Sequence, residues 1–306
     1  MSAHINRFFG SFSAFSLCLG LVLSAQNQNS TDQPETVCVR VSVTDPLNRD
    51  VIGLEREHFR IYEDNTEQTI ASFNISQSVP MGVGIVWDVG RSLDENYESA
   101  KSMVSRLLFP ITPNLDHQER AKNEYFLINF SEAAPIQRIS GKMPTNEVLI
   151  DKSKKRIALL DAVYIGLDQI HQSKHDRGVL IIISDGVETY GQHKESEILE
   201  YERKLDFQIF GIVKYDPNKT GPSLNRIRNM VEITGGGIYF PNGFMDIDHY
   251  IDRIHAGLQH PYLLCYMPTN DRHDGKLRKI EIKLDPPLKL PVLNIHARKE
   301  RCAPKN

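Results

Sequence analysis

Cysteine is scarce, with four in 306 residues. That excludes a disulfide-dense scaffold, and the spacings among Cys18, Cys38, Cys265 and Cys302 fit no zinc pattern. Charge of one sign is scarce too. The formal net charge is −3 and no long run of like charges occurs, so nothing favours nucleic acid or an anionic membrane surface. Beyond the amino terminus, no segment holds the roughly 18 apolar residues that a membrane span requires. Familiar catalytic signatures are missing: there is no Gly-x-Ser-x-Gly elbow and no His-Glu-x-x-His. The glycine run Gly235-Gly236-Gly237 is followed by Ile238-Tyr239 rather than Lys-Ser/Thr. It therefore reads as a helix stop and turn, not a phosphate loop. No internal repeat occurs, which excludes a solenoid. What remains is an ordinary globular composition, 40% hydrophobic and 25% charged, sufficient for one large or two modest domains.

The amino terminus reads as a secretory signal peptide over residues 1–25. Arg7 supplies the positive region, Leu17 to Leu23 (LCLGLVL) the apolar one, and Ser24-Ala25 small residues for cleavage. The alternative is an uncleaved anchor. Cys18 lacks the small residues that precede a lipidated cysteine. The expectation is a secreted or periplasmic protein with no membrane span in the mature chain. Removing Cys18 leaves three cysteines, an odd number for an oxidising compartment. Residues 26–35 (QNQNSTDQPE) are polar and read as a linker.

Two kinds of pattern follow. Val37, Val39, Val41 and Val43 alternate with polar residues, which predicts a half-buried strand. HFRIYEDN and TIASFNIS add two more, so residues 36–78 read as a small β module. Over 79–260 the chain alternates strands and helices. Its helices are predicted near 96–109, 156–171, 194–204, 223–233 and 246–258. The expected fold is a doubly wound parallel sheet. Over 261–306 only strands recur: PYLLCYM, LRKIEIKL and VLNIHAR. A few strands alone are marginal, so both chain ends are expected to build one β module with the α/β domain inserted in it.

Within the α/β part, two stretches have the same form. VGIVWDVGRSL (Val83 to Leu93) ends an apolar run at Asp88, and VLIIISDG (Val179 to Gly186) ends one at Asp185. Continuous apolar runs bounded by turn residues predict buried parallel strands. Both acids then fall at the carboxyl edge of the sheet, where ligands bind in open α/β folds. A third feature, His171-x3-His175, has spacing that suits two imidazoles on one helical face. It sits beside Lys174 and Arg177 at a predicted helix end, and a solvated last turn explains it as well.

These residues carry a family resemblance. Asp88-Val-Gly-Arg-Ser92 resembles the Asp-x-Ser-x-Ser metal loop of von Willebrand factor A (VWA) domains, and Ser184-Asp185-Gly186 resembles that family's later Ser-Asp-Gly loop. Leu159-Leu-Asp-Ala162 and Thr234-Gly-Gly resemble two further segments of it. The flanks, Gly53-Leu through Asp64 and Tyr262 through Ile280, resemble a bacterial secreted group, the VWFA-related acidobacterial domain. The resemblance implies a Rossmann-like α/β fold and a metal-ion-dependent adhesion site (MIDAS) built for recognition rather than bond cleavage. It also implies Mg²⁺ held by two Asp, two Ser and a Thr, with one position open for a partner carboxylate.

Here the implied ligand set is incomplete. Asp88, Ser92 and Asp185 match, but Gly90 stands in place of the first Ser and Ile157 in place of the Thr, four residues before Asp161. Ser153 is the nearest substitute. The expectation is a degenerate site with Mg²⁺ weak or absent. The leading function is an exported, non-catalytic binding or adhesion module for an unidentified protein or glycan. The alternative is a metal-free structural or assembly factor of the cell envelope, and a hydrolase using Asp88, Asp185 and a histidine is less well supported. A disulfide between Cys38 and Cys302 is expected, because Cys38 lies on the polar face of its strand and Cys302 follows the last strand of the same module.

Overall fold

The structure is a computed structural model. It describes residues 35–47, 49–75, 80–88, 104, 107, 123–130, 137–141, 159–175, 177–184, 186, 191–204, 207–213, 222–241, 247–259, 262–285 and 292–305. Residues 35–306 form one compact unit.

The α/β domain is built on a six-stranded sheet. Its strands are β5 (Gly82–Asp88), β6 (Glu124–Phe130), β7 (Gln137–Gly141), β8 (Gly178–Ser184), β9 (Phe207–Val213) and β10 (Ile238–Tyr239), in the order β10-β9-β8-β5-β6-β7. All neighbours are parallel except β6 and β7, which are antiparallel. β5, β8 and β9 are buried at every position, as strands covered on both faces must be.

Two cores lie on the two faces of this sheet. Val83, Ile85 and Trp87 point to one face, where Ile251, Ile254 and Leu258 of helix α4 (Ile247–Gln259) cover them. Val86, Ile128, Leu180 and Ile182 point to the other. There they meet helices α1 (Leu159–Gln172), α2 (Glu195–Lys204) and α3 (Pro222–Thr234). The predicted helix at 96–109 lies almost wholly outside the described residues; Val104 and Leu107 are helical and buried.

Both chain ends contribute to a β-sandwich. One sheet runs β13-β1-β11-β4, from Asn294–Ala297, Val37–Thr44, Tyr262–Tyr266 and Ile70–Ile75. The other runs β14-β12-β2-β3, from Glu300–Cys302, Leu277–Leu284, Phe59–Glu63 and Thr66–Gln68. The four valines of β1 pack with Phe59, Ile61, Tyr262, Leu264, Tyr266 and Ile280 between the sheets. The β2–β3 hairpin turns on Asp64 (φ 48°) and Asn65 (φ 66°). Positive φ at both central residues is what a tight two-residue hairpin loop demands.

Two devices secure the sandwich, one across its two sheets and one within a sheet. Glu63, 2% exposed, accepts a bidentate pair from Arg301 (2.8 and 3.3 Å) and a hydrogen bond from the Tyr266 hydroxyl (2.6 Å). Arg301 also reaches Glu35 at 2.9 Å. The second device is a disulfide, and it corrects the expected pairing. Cys38 bridges Cys265, not Cys302. β1 and β11 are antiparallel neighbours and Cys38 stands directly opposite Cys265, with Cα atoms 4.0 Å apart. Cys302 lies on β14 of the other sheet, opposite Leu277, and its thiol is free.

The sandwich joins the α/β domain where α3 ends. Gly235 (φ 74°) ends the helix in the left-handed region that favours glycine. The turn also does more than the stop expected of it. The Lys299 amide donates to the Ile233 carbonyl (3.1 Å), so the segment after β13 caps α3. A side chain on Gly235 would overlap the Ala297 backbone, and one on Gly236 the Ile209 carbonyl. Both glycines therefore serve close backbone approach.

Candidate functional site

Asp88 is the last residue of β5, the strand at which the sheet order reverses: β6 and β7 lie to one side, β8, β9 and β10 to the other. The crevice between the ends of β5 and β8 is thus the topological switch point. Asp88 faces it almost wholly buried, 1% exposed. The Ser184 hydroxyl, at the end of β8, donates to Asp88 Oδ2 at 3.3 Å. The Gly186 amide in turn donates to Ser184 Oγ at 3.1 Å, folding the chain back just after the strand.

Of the sequence-predicted ligands, the structure describes only Asp88. Ser92 and Asp185 lie outside the described residues, as do Gly90, Ser153 and Ile157. The sequence neighbours of Asp185 are described: Ser184 meets Asp88, and Gly186 meets Ser184. Ser184 is the residue whose part was missed. Its signal is the Ser-Asp-Gly triplet at a strand end, in which the serine as well as the acid reaches the edge.

A second polar cluster anchors the loop that follows. Asp161, in the first turn of α1, accepts from the Gln192 amide (2.9 and 3.1 Å), the His193 amide (2.9 Å) and His193 Nδ1 (2.8 Å). Burial pushes the Asp161 carboxyl up, but the His193 amide and ring and the Gln192 amide outweigh it and hold the pKa below the ordinary value. The Tyr164 ring stacks on His193 with centroids 3.9 Å apart. The chain on either side of residues 187–190 is therefore fixed, through Ser184 before it and Asp161 after it. Nothing in the local sequence signals this contact, which spans 32 residues. His171 and His175 do not share a helical face, because α1 ends at Gln172.

Asp88 is a hard oxygen ligand of the kind Mg²⁺ takes; the other ligands that the resemblance implies, Ser92 and Asp185, lie outside the described residues. Gly90 and Ile157 contribute no side-chain oxygen. Among the described residues no group of three or more His, Cys, Asp or Glu could hold a metal ion. Among the same residues, no helix is long and apolar enough to cross a membrane.

No protein-family profile and no curated protein matches the sequence. Solved structures do match the fold. The ArnB paralog VWA2 from Sulfolobus acidocaldarius is similar at 13% identity, covering 86% of this chain and 75% of that one, with a TM-score of 0.44. A von Willebrand factor type A protein from Catenulispora acidiphila is similar at 8% identity, over 89% and 74% of the two chains, with a TM-score of 0.42. Proximal thread matrix protein 1 from the mussel byssus, described with a zinc-occupied MIDAS motif, is similar at 10% identity, over 64% of this chain and 49% of that one, with a TM-score of 0.45. The sheet with helices on both faces, joined to an antiparallel sandwich built from the two chain ends, is a doubly wound α/β fold.

Proposed function

We propose that the chain is an exported, non-catalytic binding module that presents the Asp88–Asp185 edge to a protein or glycan. The carrying observation is Asp88 itself, a carboxylate 1% exposed at the switch point of the sheet. A carboxylate in that position is costly unless donors or a cation compensate it, and this is where such a sheet receives ligands. Asp88, Ser92 and Asp185 would hold Mg²⁺, with Gly90 and Ile157 leaving two positions to water. When bound, the ion would offer a partner carboxylate an open coordination position. The Cys38–Cys265 bridge supports an oxidising destination, in line with the signal-like amino terminus.

A second reading has its own support. The hydroxyl that Ser184 donates to Asp88 is the compensation a metal-free carboxylate needs, and it favours a structural or assembly factor of the envelope.

Two measurements separate them: capture of partners from envelope extract with and without EDTA, and Mg²⁺ calorimetry. The binding module predicts weak Mg²⁺ uptake, abolished by Asp185→Ala and strengthened by Gly90→Ser with Ile157→Thr, together with EDTA-sensitive capture. EDTA-insensitive capture, with no Mg²⁺ uptake even in the double variant, would establish the metal-free reading. Hydrolytic turnover that disappears in Asp185→Ala would overturn both.

A further inference from the structure

A cleft of about 320 Å³ lies where the sandwich meets the α/β domain. That is at the lower end of the roughly 300–1,000 Å³ range of small-molecule sites. One wall is the outer face of β1 and β13, with Ser42, Thr44 and His296; the other is the end of α3, the glycine turn and β10, with Tyr239. Neither Asp88 nor Ser184 lines it, so it is separate from the switch-point edge.

Its lining is balanced in charge. Asp50 and Glu232 are matched by Arg253 and Lys299, and Lys299 Nζ donates to Glu232 at 2.8 Å. Burial holds the His296 pKa below the ordinary histidine value, against a smaller upward pull from its hydrogen bond to the Gly236 backbone. The ring is therefore neutral at pH 7, with both donor and acceptor capacity, and it meets Thr44 Oγ1 at 3.3 Å. Burial likewise pushes the Tyr239 phenol up to about 12, so it remains a hydroxyl. Among the described residues none hydrogen-bonds that hydroxyl, and the partly buried ring stands on the cleft wall. The floor is apolar, from Phe210, Ile238 and Ile295.

An anion or a cation entering this cleft would meet a charge of its own sign beside the matching one. A neutral ligand rich in hydroxyls meets no such conflict. Its polar edge matches hydroxyls, a neutral imidazole and a carboxylate, and its C–H face matches the floor. We infer that the cleft binds a neutral mono- or disaccharide, with the Tyr239 hydroxyl and the Asp50 carboxylate hydrogen-bonding the sugar's hydroxyl groups. The site is independent of the cation edge proposed above.

Saturation-transfer NMR on the full chain tests this. The probes are glucose, galactose, mannose, N-acetylglucosamine and their common disaccharides, with glucosamine and glucuronate as charged counterparts. The expected result is transfer from at least one neutral sugar, with the charged counterparts at least tenfold weaker. Tyr239→Phe should weaken binding by about three- to tenfold, the value of one lost hydrogen bond. Asp50→Asn, at an isolated bridge with Thr44, should weaken it at least as much while leaving the chain folded. EDTA and Asp185→Ala should have no effect, which separates this result from that of the cation edge. No transfer from any neutral sugar, equal transfer from glucuronate, or full binding in both folded variants would each overturn the assignment.

Discussion

In the α/β domain β5, β8 and β9 are buried along their whole length, and their strand partners all come from the domain's own stretch of chain. In the sandwich β1 and β12 alternate inward and outward residues, and their partners come from the other end of the chain. The first region is held by two apolar cores flanking one sheet. The second has a single core of thirteen buried residues, and it adds a covalent bridge and a buried ion pair. The difference follows from chain connectivity. A unit assembled from segments more than 200 residues apart must recover a large loop-closure entropy, and a disulfide and a buried polar network are placed where they do so.

The sharpest break of this comparison is the disulfide. Cys38 and Cys265 are 227 residues apart, and by the chain-entropy relation a link that long stabilises by about 5 kcal/mol. Cys38→Ser with Cys265→Ser should lower unfolding free energy by several kcal/mol in denaturant titration. Hydrogen exchange should then show β1 and β11 opening well before β5 and β8. Equal loss of protection in both regions would mean that the two unfold as one cooperative unit.

The buried pair comes next. Arg301→Ala leaves the Glu63 carboxylate with the Tyr266 hydroxyl but no cation, and breaking one side of such a pair costs about 3–5 kcal/mol. Chemical denaturation should show this loss. Arg301→Met with Glu63→Leu should recover most of it, since neither charge is then left alone. Burial and the Glu63 carboxylate both push the Tyr266 phenol above its ordinary range, and the Glu63 bond outweighs burial to raise the Arg301 pKa. Across neutral pH Arg301 therefore stays charged and the Tyr266 phenol stays a neutral donor.

The same contrast decides what the sequence reveals. The α/β strands are legible because an apolar run ended by an acid, as in VGIVWD and VLIIISD, states burial, direction and edge together. Asp88 is legible for that reason. The alternating valines of β1 reveal which face is buried but not which strand lies beside it. The Cys38 partner therefore depended on a register that no local pattern carries. β14 is three residues long, too short to show a period. The Asp161–His193 contact was hidden because a carboxylate in a first helical turn reads as a favourable dipole contact, whatever it bonds across the fold.

The junction of the two regions offers a smaller and more local break. Gly236→Ala would drive a methyl group into the Ile209 carbonyl, and backbone cannot move aside as a side-chain tip does. Overpacking of this kind costs about 1–3 kcal/mol. Thermal unfolding should fall accordingly. Gly53→Ala, with nothing near its added carbon, would show only the strain of its left-handed backbone (φ 85°). If the two lost the same stability, close packing at the junction would not be what Gly236 supplies.

The smallest effect is pH-dependent and separates the junction from both regions it joins. Burial depresses the His296 pKa below its ordinary value of 6.5, with the Gly236 hydrogen bond opposing it. The unfolded chain then binds a proton at this histidine more readily than the folded one. By linkage, stability rises with pH wherever the unfolded state holds more protons. The His296 contribution is therefore fully present above pH 6.5, declines as pH falls from there through the depressed folded value, and is gone below it. The charged groups of the same cleft are Asp50, Glu232, Arg253 and Lys299. The Asp161 carboxyl, held below its usual value of 3.8, loses its contribution at still lower pH. Denaturant unfolding measured in small steps from pH 7.5 to 3 should thus show a loss that begins near 6.5. His296→Gln keeps an amide in place of the imidazole and should flatten the curve over that interval, while leaving the fall below pH 4 unchanged. An unaltered slope in His296→Gln would assign the acid sensitivity to another histidine and leave the junction insensitive to protonation.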